Sequence, residues 1–387
     1  MLRYKAGFLF VLCILLVTAC NSNETHSSRD HVKKESDTQE KPIKTDFLKP
    51  EIHEITLSAI GDLLIHARVY QDAFTGTQYN FNPMLDKVAP FLQQSTITMA
   101  NQETMIGGVE LGLSTYPTFN TPQQMGDALK KAGVDVVTLA NNHTLDGGEV
   151  AIQEAISYWE TIDMMYTGAY KSEADQNEIR VLQTEKDISV AFLAYTYGTN
   201  GIPVPEGKDY LVNFIDKQKM ASDIEKAKKL SDVIVLSLHF GNQYERMPSQ
   251  KQKDLVQFVA DQGVQVVIGH HPHVLQPVDF VEGKNGNKTF VAYSLGNFLS
   301  GQDEFYRRIG GMVKFTIRKT ESEGKDKIDI VSPKFLPTFV DYQNNAHYDV
   351  IPMYKLTNEI LPNADKHYNE IKAHMSQLVP ELEFIEE

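Results

Sequence analysis

Val264-Gln265-Val266-Val267-Ile268-Gly269-His270-His271-Pro272-His273 decides how this chain is read. The run from Val264 to Ile268 is short and rich in β-branched residues, which favours a buried strand. It passes without a spacer into a cluster of histidines. Upstream, Ser249 to Gln262 carries apolar residues at helical spacing. A helix feeding a buried strand is the repeating unit of α/β folds. In open α/β sheets ligands bind beyond the carboxyl ends of the strands, which is where these histidines would stand.

The same arrangement recurs along the chain. Ile55 to Ile60 reads as a strand that runs into Gly61-Asp62, and Thr96 to Ala100 as one that runs into Asn101-Gln102-Glu103. Val134 to Leu139 leads to Ala140-Asn141-Asn142-His143, and Val233 to Leu238 to His239. Helices are expected over Pro122 to Ala132, Gly148 to Glu160 and Lys217 to Leu230. Thr121 is the expected N-cap of the first, with Pro122 at its first position and Gly133 at its end. A structural protein has no reason to end strand after strand in metal-competent side chains. Antiparallel pairs are expected elsewhere: Ile179 to Leu182 with Ile188 to Tyr195, and Val278 to Val281 with Thr289 to Leu295 around the turn signal Asn285-Gly286. Met312 to Arg318 and Lys327 to Val331 continue that pattern.

Taken together, Asp62, Glu103, Asn142, His239, His271 and His273 supply carboxylate oxygen, amide oxygen and imidazole nitrogen. That mixture suits divalent Mn, Fe or Zn better than Ca, which prefers all-oxygen shells. Asp146 is expected to turn the chain and cap the helix that starts near Gly148. Asn297 could contact substrate or cap a turn, and Asn101 is a second candidate for substrate contact.

The amino-terminal segment reads as an address. Arg3 and Lys5 precede an apolar run from Ala6 to Val17, too short to span a bilayer comfortably. Leu16-Val17-Thr18-Ala19-Cys20 has the small residues before cysteine that mark a lipidation signal. The expected plan is a signal peptide over 1–19, then a lipidated Cys20 and flexible tether over 20–50. A core domain over 51–343 and a helical or irregular extension over 344–387 follow. The tether is nearly devoid of large apolar residues and cannot offset its ordering entropy by burial. This plan places the protein on the extracytoplasmic face of the cell membrane, held by lipid. The only other cysteine, Cys13, lies in the segment to be removed, so no cysteine remains for a disulfide or metal site. A net charge of −14 over 387 residues argues against nucleic-acid binding. Attraction of an anionic substrate would have to be local, from metal ions or a basic cluster such as Arg307-Arg308.

Gly61-Asp62, Asn141-Asn142-His143, His239 and His271-Pro272-His273 resemble the metal-binding blocks of the calcineurin-like metallophosphoesterases. Longer stretches resemble the CapA/PgsA family of capsule and poly-gamma-glutamate synthesis proteins. They are Asn101-Gln102-Glu103-Thr104, Thr121-Pro122 through Asp146, His239-Phe240-Gly241, Gly269 through Pro277, and Tyr293-Ser294-Leu295-Gly296-Asn297-Phe298. The resemblance covers roughly residues 55 to 300. It implies a four-layer αββα sandwich of the metallo-dependent phosphatase type holding two divalent metal ions. Asp62 would bridge or bind the first, with His271 or His273 nearby, and Asn142 and His239 would bind the second. Glu103 would take the place where many phosphoesterases carry aspartate. His143 would stay off the metals and act on substrate as a proton donor or charge stabiliser. The implied partner is a capsule or poly-gamma-glutamate synthase complex, within which the chain acts as a hydrolase or as a non-catalytic assembly subunit. The sequence departs from the pattern where Leu64 replaces the usual third-position histidine, with His66 as an alternative. Gln243 stands where many relatives carry glutamate, and His270 adds a histidine beside the His271/His273 pair.

Overall fold

The computed structural model describes residues 50–322 and 326–387. Cys20 and the expected signal segment and tether, apart from Pro50, lie outside the described residues. The strands in chain order are β1 (Glu51–Leu64), β2 (Ile97–Gln102), β3 (Val136–Thr138), β4 (Met165–Thr167), β5 (Arg180–Gln183), β6 (Ser189–Thr196), β7 (Val233–His239) and β8 (Val266–His270). They continue with β9 (Leu275–Glu282), β10 (Lys288–Leu295), β11 (Asn297–Ser300), β12 (Ile309–Glu321), β13 (Lys327–Gln343), β14 (Ala346–Pro352) and β15 (Glu383–Phe384).

Two sheets form. The larger runs β14-β13-β12-β1-β2-β3-β4, with β11 beside β1 and β15 beside β13. The smaller runs β5-β6-β7-β8-β10-β9. Strands β1 to β4 pair in parallel, as do β6, β7, β8 and β10, so the carboxyl ends within each parallel set share one edge.

The period-2 alternation of each strand builds the layers. Leu57, Ala59, Met99 and Val136 of the large sheet face Phe192, Val235, Ile268 and Phe290 of the small one in a shared inter-sheet core. The opposite face of the large sheet, through Ala100 and Val137, packs on Leu129 of the helix Gln124–Ala132 and on Ile152 and Trp159 of the helix Gly148–Thr161. The outer face of the small sheet, through Ile234, Leu236 and Val267, packs on Ile224 of the helix Lys217–Ala227 and Val256 of the helix Gln250–Asp261. Helix, sheet, sheet and helix make the expected αββα sandwich. The helix Gln250–Asp261 begins in a full capping box between Ser249 and Gln252, which fixes its entry.

Two glycines let backbones meet where the site forms. A Cβ on Gly61 would lie 2.2 Å from the Gly296 carbonyl oxygen, and one on Gly269 would lie 2.0 Å from the Tyr293 carbonyl oxygen. The first contact accompanies a register shift in β1 that brings Asp62 opposite both Asn101 and Asn297.

The carboxyl-terminal boundary differs from the one expected. Position 343 falls at the end of β13, and β14 turns straight back to pair with it. The following helix, Ala364–Met375, places Ala364, Tyr368, Ile371 and Met375 in the inter-sheet core. Residues 344–387 therefore belong to the sandwich rather than extending from it. Thr121 also departs from expectation: its hydroxyl donates to the Met105 carbonyl, and the helix starts later, after Gln123.

Candidate metal centre

The carboxyl ends of β1, β2, β3, β7 and β8 bring Asp62, Glu103, Asn142, His239, His271 and His273 into one buried cluster. Its ligand-capable atoms form two overlapping groups, Asp62–Glu103–His273 and Glu103–His239–His271, with the atoms of each within 4.8 Å of one another. Glu103 is common to both.

Each member is aimed by neighbours. The Asp62 carboxylate accepts Asn101 Nδ2 at 2.9 Å and His270 Nδ1 at 3.0 Å on one oxygen. Its other oxygen accepts the His271 backbone N–H at 3.3 Å and lies 3.2 Å from His273 Nδ1. His273 Nδ1 also donates to Asn297 Oδ1 at 3.1 Å. With Nδ1 committed to oxygen acceptors, Nε2 is left as the ligand atom, 3.6 Å from Glu103. His239 Nε2 lies 2.6 Å from Asn142 Oδ1 and 3.5 Å from Glu103 Oε1. The turn that presents the histidines holds His271 at φ 97° and His273 at φ 56°, a conformation that non-glycine residues adopt only when their surroundings enforce it.

The electrostatics fit cation binding. Both Glu103 oxygens are buried without a hydrogen-bond partner, as are His239 Nδ1 and His271 Nδ1. Burial pushes the Glu103 carboxyl well up, and the nearby Asp62 charge adds to this against the opposing His273. Burial, then neighbouring His271, pushes His239 well down, and burial followed by His273 lowers His271 to about 3. Both imidazoles are thus neutral, the form that ligates metal. Burial works against charge on Asp62 and on His273 alike. The His270 and His273 hydrogen bonds nonetheless hold Asp62 well down, and Glu103 and Asp62 raise His273 to about 9. Unpaired buried carboxylate oxygens beside neutral imidazoles are the donor set that a divalent ion completes.

His143 stands apart from both groups. Its Nδ1 donates to Asp146 Oδ2 at 2.7 Å, and the same oxygen accepts the Phe119 N–H at 2.7 Å. The tautomer follows from this partner, leaving Nε2 as the nitrogen able to move a proton. Asp146 was expected to cap the next helix; instead Gly147 is the N-cap, with no side-chain cap, and Asp146 orients His143. Asn101 and Asn297, the expected substrate contacts, bond within the protein. Their amides are fully buried and spent on Asp62 and Thr138, and on His273, Gln302 and the Arg307 carbonyl. His66 lies outside both ligand groups, its Nδ1 against the Leu64 carbonyl and the Gly301 N–H, with its ring edge-on to Phe119. His270 holds Asp62.

Several neighbours escape sequence reading. Phe119 packs edge-on against His143 at 4.7 Å. Asn200 accepts from Asn142 Nδ2 and approaches His143, while Tyr197 lies 4.7 Å from the His271 ring. Each sits in a loop without regular pattern; Asp146 alone had a local signal, three residues after His143.

The fold and this cluster define a two-sheet α/β protein with a buried, metal-competent carboxylate–histidine centre at the carboxyl edge of its parallel strands. The chain belongs to the family described as bacterial capsule synthesis protein PGA_cap, which matches residues 56–302. It is 28% identical over 346 residues to the capsule biosynthesis protein CapA of Bacillus anthracis, covering 85% of this chain and 75% of that one. It is 27% identical over 200 residues to the PGA biosynthesis protein CapA of Bacillus subtilis (strain 168), covering 51% of each. A solved Staphylococcus aureus structure described as a 5′-nucleotidase with α-ketoglutarate aligns over 82% of this chain and 58% of its own. The TM-score of that alignment is 0.43, at 14% identity.

Proposed function

We propose that this protein is a lipid-anchored component of a capsule or poly-gamma-glutamate synthesis or export machinery, with a dinuclear metal centre of phosphoesterase type. The observation that carries the reading is Glu103: a buried carboxylate with two unbonded oxygens, shared by two groups of ligand atoms. A shared carboxylate between two sites is the arrangement of a bridged pair. Asp62, Glu103 and His273 would hold one ion, and Glu103, His239 and His271, with the Asn142 oxygen, the other. Such ions acidify water and draw charge from a polarised ester or amide bond.

The chain's own groups do the rest. Asn101, His270 and Asn297 fix the ligand carboxylate and imidazole before anything binds. Asp146 holds a proton on His143 Nδ1, so Nε2 is the nitrogen left to exchange a proton with a reacting group. The cluster's burial keeps bulk water from screening these charges. The family and the names of its relatives support the capsule setting.

Elemental analysis of purified Asp62→Ala and His143→Ala, beside their phosphodiesterase rates and their ability to restore capsule to a deletion strain, tests this. Asp62→Ala is expected to lose metal and activity. His143→Ala is expected to keep metal and lose about a hundredfold in turnover, the usual contribution of a positioned acid. Full capsule restoration by Asp62→Ala would discard the chemistry and leave a non-catalytic assembly subunit.

A further inference from the structure

The basic pair Arg307-Arg308 separates in space. Arg308 donates to the Val340 carbonyl and pairs with Asp341, its guanidinium over the Phe339 and Tyr342 rings. It is part of the wall. Arg307 instead lines a cavity of about 300 Å³ together with Tyr244, Arg246, Val274, Glu304, Phe305 and Tyr306.

This cavity adjoins the metal centre through shared residues. Val274 follows His273 directly, and the Tyr244 ring lies 6.3 Å from the His273 ring. The Tyr244 backbone N–H donates to the Pro272 carbonyl at 2.8 Å, tying its loop to the histidine turn. Asn297 joins the two sides: its oxygen accepts from His273 and its Nδ2 donates to the Arg307 carbonyl at 2.8 Å.

The donors in the cavity are underused. Arg246 Nη1 donates to Glu370 at 2.8 Å, and the guanidinium lies 3.9 Å from the Tyr306 ring centre. Its Nη2 is buried without a hydrogen-bond partner. Arg307 stacks 3.5 Å from the Tyr244 ring centre. Among the described residues its ion-pair partner is Glu304, at 3.3 Å, whose side chain is 72% exposed. An exposed pair of that kind holds a guanidinium weakly. Aromatic stacking leaves the planar N–H edge of an arginine free for a two-pronged contact with an oxyanion.

We infer that Arg307, with Arg246 and Tyr244, forms an anion-accepting subsite beside the metal centre, taking a side carboxylate of an acidic polymer whose reacting bond lies at the buried cluster. The inference rests on the reading under Proposed function for the location of that bond, but the subsite itself consists of protein groups only. The chain's net charge of −14 repels a polyanion at long range. Recognition therefore has to come from contacts of this local kind. Glu304 would swing into solvent as the substrate carboxylate replaces it. Arg307 and Arg246 would then set specificity for acid over amide side groups.

The test is fluorescence anisotropy of a labelled γ-linked glutamate hexamer, and of the γ-linked hexamer with amidated side carboxylates, on the detergent-solubilised full chain. Binding is measured with chelator and again with Mn²⁺. The wild-type chain is expected to prefer the acid hexamer under both conditions. Arg307→Gln is expected to weaken acid-hexamer binding about tenfold or more, the value of a lost charge-assisted contact, and to leave the amide hexamer unchanged. Arg307→Gln leaves the backbone carbonyl that holds Asn297. Arg246→Gln serves as the second variant, with melting temperature as its control, because Arg246 also anchors Glu370. If the metal reading fails and the subsite stands, Mn²⁺ changes nothing while Arg307→Gln still weakens binding. Acid-hexamer binding within twofold of wild type in Arg307→Gln, or no preference for acid over amide in wild type, overturns the inference. Equal displacement of the acid hexamer by inorganic phosphate from wild type and Arg307→Gln also overturns it, by placing the anion on the metals.

Discussion

Replacing Glu103 by glutamine separates a metal centre from a merely polar core. Glu103 belongs to both ligand groups, so the change removes one charged ligand from each. Breaking a buried charged contact costs about 3–5 kcal/mol, and each 1.4 kcal/mol is about a tenfold change in affinity. Metal affinity should therefore fall at least about a hundredfold. At a metal concentration about 100 times the wild-type dissociation constant, one site stabilises the fold by about 2.7 kcal/mol. After a hundredfold loss the same concentration gives about 0.4 kcal/mol. For a domain of this size, roughly 2 °C per kcal/mol converts these to a metal-induced rise near 5 °C in wild type and near 1 °C in the variant. Without metal, Glu103→Gln should be at least as stable as wild type, because neither oxygen of the buried carboxylate has a hydrogen-bond partner to lose. Thermal unfolding followed by near-UV circular dichroism, with chelator and with Mn²⁺ or Zn²⁺, measures both quantities. A variant that keeps the full metal-induced rise, or that is strongly destabilised in chelator, would refute the reasoning.

Asp146→Asn should keep the metal-induced rise, because Asp146 bonds to His143 and the Phe119 N–H and to none of the proposed ligands. Its phosphodiester turnover should fall about ten- to a hundredfold, the worth of a charge-assisted hydrogen bond, as read from kcat at saturating metal. Gly269→Ala puts a Cβ 2.0 Å from the Tyr293 carbonyl oxygen, a backbone contact that no rotamer relieves. We expect a loss of about 3 kcal/mol in denaturant unfolding, with bound metal reduced alongside; unfolding and metal content like wild type would count against it. Cys20→Ala should abolish incorporation of labelled fatty acid and release the protein from membranes, and continued labelling would discard the lipid anchor.

The positions of the ligand-capable residues are legible in the sequence because strand ends are. An apolar run that stops at Asp62, Glu103, Asn142 or His239 marks the edge of a sheet, and parallel pairing puts those edges together. What surrounds the ligands is set by contacts between segments far apart in the chain. Asn101 and Asn297 look like free polar residues locally; only the register shift in β1 sets both opposite Asp62, from where Asn297 also reaches His273. The carboxyl-terminal segment misleads for the same reason. β14 earns its place by pairing with β13, and the helix Ala364–Met375 by covering the inter-sheet core. Neither contact leaves a mark in the local periodicity of residues 344–387. Asp146 is the one miss with a local cause: three residues after His143, it could serve either the helix start or the imidazole, and burial decides for the imidazole.

The pattern of satisfied and unsatisfied groups carries the last step. Asp62 has Asn101 and His270, His273 has Asn297, and His143 has Asp146. A polar core retained only for packing would satisfy Glu103 in the same way, since an unpaired buried carboxylate is among the costliest groups a fold can keep. Here every partner that fixes orientation is present around Glu103 while both of its own oxygens go without a hydrogen bond. The neutral imidazoles of His239 and His271 cannot neutralise it. His273 lies against both carboxylates, its Nδ1 3.2 Å from Asp62 and its Nε2 3.6 Å from Glu103, so its charge is shared between them. Burial therefore pushes the Glu103 carboxyl well up, towards its neutral form, while ligand-capable atoms of His239 and His271 lie within 4.8 Å of it. A bound cation would reverse that shift by favouring the charged carboxylate, which ties metal affinity to the release of a proton from Glu103.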